Sequence, residues 1–165
     1  MMLDCPDGQQ QTCDRLERRD RGDAPDWDAI VRTDAWDVVH CDNTSLLGWL
    51  VLVVRRHVAA LADLTEAEAE ALGPLVRDVS RALHDICGCE KTYVVQFAEH
   101  PDHRHVHVHV VPRSPDLEDE RQGPRVFGFL GVPETDRVSE DDMNAFAASL
   151  RGWLTASGPP PRTEG

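Results

Sequence analysis

The chain has 165 residues, 41% apolar and 28% charged, with a formal net charge of −13. That length suits one domain around one core, and the acidic balance excludes the broad basic surface that a nucleic acid polymer requires. No apolar run approaches the ~20 residues of a membrane span and the N-terminus lacks a signal peptide's apolar stretch, so a cytoplasmic protein without a membrane partner is expected.

Residues 1–24 are polar and without sustained period, which predicts a flexible segment with at most a short helix. Trp36–His40 reads as a short strand, Asp42–Gly48 as a turn, and Trp49–Val54 as a buried strand because it is an unbroken, largely β-branched apolar run. Thr65-Glu-Ala-Glu68 fits a capping box, and Leu72, Leu75, Val76, Val79, Leu83 and Ile86 continue from it as one apolar stripe of a long helix. Gly73-Pro74 should kink or offset the first turns, and Gly88 is a natural stop. Thr92–Phe97 is a further strand, Ala98–Asp102 a loop, and the strand that follows is ended by Pro112. Ser139 caps a last helix with Met143, Phe146, Ala147, Leu150 and Leu154 on its apolar side. The elements predict an α+β fold with a mainly antiparallel sheet, a single domain over 25–156, and a disordered Pro-rich tail over 157–165. The five cysteines are odd in number, scattered and without a CxxC pair, which predicts reduced thiols.

The most informative stretch is HRHVHVHVVPR, residues 103–113, which holds four of the eight histidines at strict alternate positions. On a strand, His103, His105, His107 and His109 share one face, and Val106, Val108 and Val110 anchor the other in the core. Imidazoles about 6.5–7 Å apart converge on one small group. That group is either a divalent metal bound by neutral nitrogens, or a phosphoryl group attacked by one ring and steadied by its neighbours. No acidic or cysteine ligand stands at a familiar metal-site spacing, and an ordinary polar strand rarely produces such a row.

His105-Val-His107-Val-His109-Val-Val111 resembles the signature of the histidine-triad (HIT) family, and Pro112-Arg113 resembles its dinucleoside-polyphosphate hydrolase branch. Gly48 to His57, with its Arg55-Arg56-His57 turn, resembles the family's strand and basic-basic-histidine turn. The resemblance implies about five antiparallel strands with a long central helix and a C-terminal helix, commonly as a homodimer. It implies cleavage at the α-phosphate of a nucleotide conjugate, with His107 as the nucleophile, His109 donating to phosphate oxygens and aiding departure of the leaving group, and His105 orienting a neighbour. Dinucleoside polyphosphates are the first substrate class. The alternatives are nucleoside phosphoramidates, or a non-catalytic nucleotide- or metal-binding module. No cofactor is implied.

The same resemblance places Gln96 on phosphate, Asp42 and Asn43 at the ribose hydroxyls, and Arg113 at outer phosphates. The chain departs from the family pattern at Trp49, where a further histidine is usual, and His40 is the candidate substitute. The loop before the triad lacks the usual Gly-Gln-Ser or Gly-Gln-Thr contacts, which His100 and His103 would replace. Cys5 and Cys13 have the wrong spacing for the zinc pair of some relatives, so no metal is expected.

Overall fold

Leu50–Val54 is buried at every residue, and so is Trp36–His40, because both strands lie inside a sheet covered on its two faces. The computed structural model describes residues 10–157. Among these, five strands pair antiparallel in the order β1-β2-β3-β5-β4: β1 Val31–Arg32, β2 Trp36–His40, β3 Leu50–Val54, β4 Lys91–Val95 and β5 His107–Arg113. The helices are α1 Gln10–Arg21, α2 Glu66–Cys87 and α3 Glu140–Ala156.

The apolar stripe of α2 and that of α3 pack on one face of the sheet. Val79, Leu83, Phe146 and Leu150 meet Leu50, Leu52, Val108 and Val110 there. Burial of each such side chain is worth roughly 1.5–3 kcal/mol, enough to hold both helices to the sheet. The predicted capping box is present. Glu68 N–H donates to Thr65 Oγ1, Thr65 N–H donates to Glu68, and Gly88 closes α2 at φ 64°. Pro74 does not divide the helix, which runs through it. Gly48 turns the chain from β2 into β3 at φ 86°, and a Cβ there would meet Cys87 Sγ at 3.1 Å, so both conformation and space demand glycine.

On the opposite face, cross-strand rows run Val39–Val51–His109–Val95 and Asp37–Val53–His107. Two segments flank them. One is the stretch of 3-10 helix Gly123–Phe129, and the other is α1. The flexible segment expected over 1–24 is therefore corrected from residue 10 onward, whereas residues 1–9 lie outside the described part. Leu16 is buried, and Arg19, also buried, donates to the Asp28 carboxylate and to the Asp28 carbonyl, both at 2.7 Å, and stands 3.6 Å from Asp37. The inner face of α1 is Thr12, Cys13, Leu16 and Arg19, half polar, a signal that apolar periodicity does not carry. Of the tail expected from 157, only Ser157, which closes α3, is described.

Two strand boundaries also differ from expectation. β5 starts at His107, not His103, and includes Pro112 opposite Thr92. β4 ends at Val95, so Gln96 and Phe97 lie beyond it. No helix among the described residues is long and apolar enough to cross a membrane.

Candidate active site

The four-histidine row divides. Only His107 and His109 stand on the open face of β5, half-buried over Val53 and Val51, with ring centroids 5.0 Å apart. His105 precedes the strand and is fully buried, and His103 closes the 3-10 turn Pro101–His103. The strand cannot extend back to 103 because Val106 is already bonded through its N–H to the Val58 carbonyl, at 2.7 Å, rather than continuing a regular ladder.

Each ring is fixed by what surrounds it. A carbonyl oxygen only accepts, so a ring nitrogen facing one must carry the hydrogen. His107 Nδ1–H donates to the His105 carbonyl at 2.7 Å, which leaves the lone pair on Nε2. His105 Nε2–H donates to the Val54 carbonyl at 2.6 Å, and its Nδ1 lies 3.3 Å from His57 Nδ1. An indole N–H only donates, so Trp49 Nε1–H, 3.0 Å from His109 Nδ1, makes that nitrogen an acceptor and places the hydrogen of neutral His109 on Nε2. Burial lowers the pKa of His107, and it lowers those of His105 and His109 to about 4. All three rings are therefore neutral near pH 7.

The two strand imidazoles open on a cleft of about 200 Å³. His103, Asp42 and Asn43 line it too, so five of the eight sequence-predicted site residues converge there. His105 supports the group from behind through its carbonyl. Gln96 and Arg113 are not among the lining residues. Arg113 sits at the far end of β5, paired with Glu90. His40 does not replace the missing family histidine. Its Nδ1–H donates to the Cys41 carbonyl, its Nε2 accepts from Gly48 N–H, and its ring meets Phe146 edge-on on the helix-covered face. His100 is exposed.

The far wall of the cleft comes from α1, through Thr12, Arg15 and Arg19. Thr12 Oγ1 meets His103 Nδ1 at 3.2 Å, and Arg15 donates to Asp42 at 2.6 Å across the mouth. Sequence reasoning missed these residues because arginines scattered through a polar stretch do not show which of them faces a cleft.

Cys13, His57 and His105 bring potential metal-ligating atoms within 4.8 Å of one another. Cys13 is disulfide-bonded, which corrects the expectation of reduced thiols for this residue and removes its thiolate as a ligand. Cysteine pairing follows spatial approach, which count and spacing did not reveal. Cys41, Cys87 and Cys89 are free.

The model of the HIT domain family matches residues 27–116, more than half of the chain. The chain belongs to the HIT domain family. No curated protein matches it in sequence. Solved HIT structures share its fold. A histidine triad protein from Sinorhizobium meliloti is 24% identical, with 86% of this chain and 94% of that chain covered at a TM-score of 0.64. A hypothetical histidine triad nucleotide-binding protein from Sulfolobus tokodaii is 13% identical, with 87% and 93% covered at 0.65. Diadenosine triphosphate hydrolase from Plasmodium falciparum is 14% identical, with 78% and 76% covered at 0.59. In this HIT protein, α1 lies outside the family match yet walls the cleft.

Proposed function

We propose that this HIT protein cleaves dinucleoside polyphosphates at the α-phosphate, with His107 forming a nucleotidyl-histidine. The observation that carries the reading is the His107 Nδ1–H bond to the His105 carbonyl, which leaves an unprotonated Nε2 on a neutral ring in the cleft. That lone pair attacks phosphorus as the bridging P–O bond breaks and its electron pair leaves on the departing phosphate. Water then forms a new O–P bond, the Nε2–P pair returns to His107, and the water proton passes to solvent. His109 Nε2–H donates to a phosphoryl oxygen as charge develops on it.

Asp42 and Asn43 take the ribose hydroxyls. Arg15, which lines the cleft beside Asp42, takes the phosphate role expected of Arg113. Gln96 reaches phosphate in this reading only if the loop following β4 moves. The Plasmodium falciparum structure, named as a diadenosine triphosphate hydrolase, supports trying that substrate class first. We place the activity in the cytoplasm and in a homodimer, for which the exposed Val94 on edge strand β4 offers apolar surface.

The test is a chromatographic time course of the wild type and His107→Ala with diadenosine polyphosphates and adenosine phosphoramidate. Nucleoside monophosphate released by the wild type alone supports the reading. Release by neither protein, or by both, removes it.

A further inference from the structure

Trp49 is fully buried immediately before β3, on the sheet face that carries His109, and its indole does two things to that ring. It donates to Nδ1 at 3.0 Å, and it packs edge-on against the ring with centroids 5.8 Å apart. The other rings facing His109 are His107 and Phe127, at centroid distances of 5.0 and 5.5 Å, and neither is anionic. Trp49 itself is wedged against Phe127, so the indole is not free to turn away.

The consequence is a matter of proton inventory. A general acid of imidazole type starts as an imidazolium, with hydrogen on both nitrogens, and becomes neutral imidazole when it gives one up. In this site a second hydrogen on Nδ1 would collide with the indole N–H and find no acceptor. A neutral His109 that surrendered its only hydrogen, from Nε2, would be left as an imidazolate, which is inaccessible near neutral pH. His109 therefore donates a hydrogen bond and keeps its proton.

From this we infer that Trp49 is a specificity-determining residue that restricts the HIT site to leaving groups able to depart unprotonated. The inference rests on the proposed function and narrows its substrate class. A phosphate chain leaves as a stable anion, so P–O anhydride cleavage needs no acid. Cleavage of a P–N bond to an amine breaks the bond with the electron pair on nitrogen, and that nitrogen must receive a proton as it leaves. The second half-reaction is unaffected, because its leaving group is the neutral His107 imidazole. Anhydrides such as dinucleoside polyphosphates are thus substrates, and phosphoramidates are poor ones. A positioned acid contributes about 10²–10⁴-fold, so the preference is at least about a hundredfold in kcat/KM.

Trp49 acts through His109 and is a positioning residue. The experiment compares kcat/KM for a diadenosine polyphosphate and for adenosine phosphoramidate on one preparation of wild type and one of Trp49→Phe. The ratio within each preparation does not depend on how much of it is folded. Nitrogen chemical shifts of His109 are read in the same wild-type protein. The expected result is a wild-type ratio above about a hundred, narrowed at least about tenfold in Trp49→Phe as Nδ1 becomes free to take a proton, with His109 protonated on Nε2 alone. Comparable rates on both substrates in the wild type, an unchanged ratio in the variant, or a proton on Nδ1 of His109 overturns the inference while leaving the proposed function standing. A wild type that cleaves neither substrate overturns the proposed function, and the inference falls with it.

Discussion

His107 Nδ1–H donates to the main-chain carbonyl of His105 at 2.7 Å, so one residue of the triad fixes the tautomer of another through the backbone. The His105 side chain is locked in turn, by the Val54 carbonyl in front and His57 behind. The first and second histidines of the motif thus differ in kind. The first shapes the strand entry, and the second presents a lone pair.

The pH dependence of the reaction follows. Burial lowers the pKa of His107, so the neutral ring that the proposed reaction uses as nucleophile persists below the ordinary histidine value of 6.5. The acid limb of kcat/KM for a dinucleoside polyphosphate should lie below pH 6.5. A limb centred at or above that value would mean that another group controls the step.

Stability should respond to acid in the same range. His105 takes up a proton at about pH 4 in the folded protein and near 6.5 when unfolded. Its folded pKa is depressed, so its contribution is complete above about pH 6.5 and is lost as pH falls towards 4. The loss is on the order of 3 kcal/mol by linkage. Denaturant midpoints for the wild type and His105→Asn between pH 7 and pH 4 test this. The wild type should lose stability steeply, and the variant less so.

Arg19 ties α1 to the 3-10 turn Asp26–Asp28 by pairing with the buried Asp28. Removing it in Arg19→Ala leaves the buried Asp28 carboxylate without its cation, while Asp37 keeps Arg32 and Arg55, and the unpaired buried charge costs about 3–5 kcal/mol. Urea unfolding should show that loss. A change under about 1 kcal/mol would mean that α1 docks by other means.

Arg15 is half-exposed and pairs with Asp42 across the cleft mouth. Arg15→Ala should raise KM for a dinucleoside polyphosphate about tenfold, as expected for losing a charge-assisted hydrogen bond to phosphate. Arg15→Lys should recover part of it. Equal KM values in wild type and Arg15→Ala would return α1 to a purely structural role.

The sheet was legible because its signals are local and apolar. Trp36–His40 and Trp49–Val54 are uniform hydrophobic runs, and Thr65 with Glu68 spells out a capping box. The triad was legible as a motif, and alternation placed His107 and His109 together on the open face of β5. What alternation could not show is that a strand has a start. His103 and His105 continue the pattern in the letters, but they sit on a turn and in the core. The α1 wall was hidden for the opposite reason. Its buried positions include Thr12 and Arg19, residues whose burial depends on distant partners. Trp49 was visible as a departure, but its role needed the 3.0 Å contact with a residue sixty positions away.

The most direct test of the central claim is intact-mass spectrometry of the protein mixed with a dinucleoside polyphosphate and quenched in alkali during turnover. The expected result is a wild-type species heavier by one nucleotidyl group, carried on His107 and absent from His107→Ala. Turnover by His107→Ala, or the nucleotidyl group found on a different residue, would contradict it.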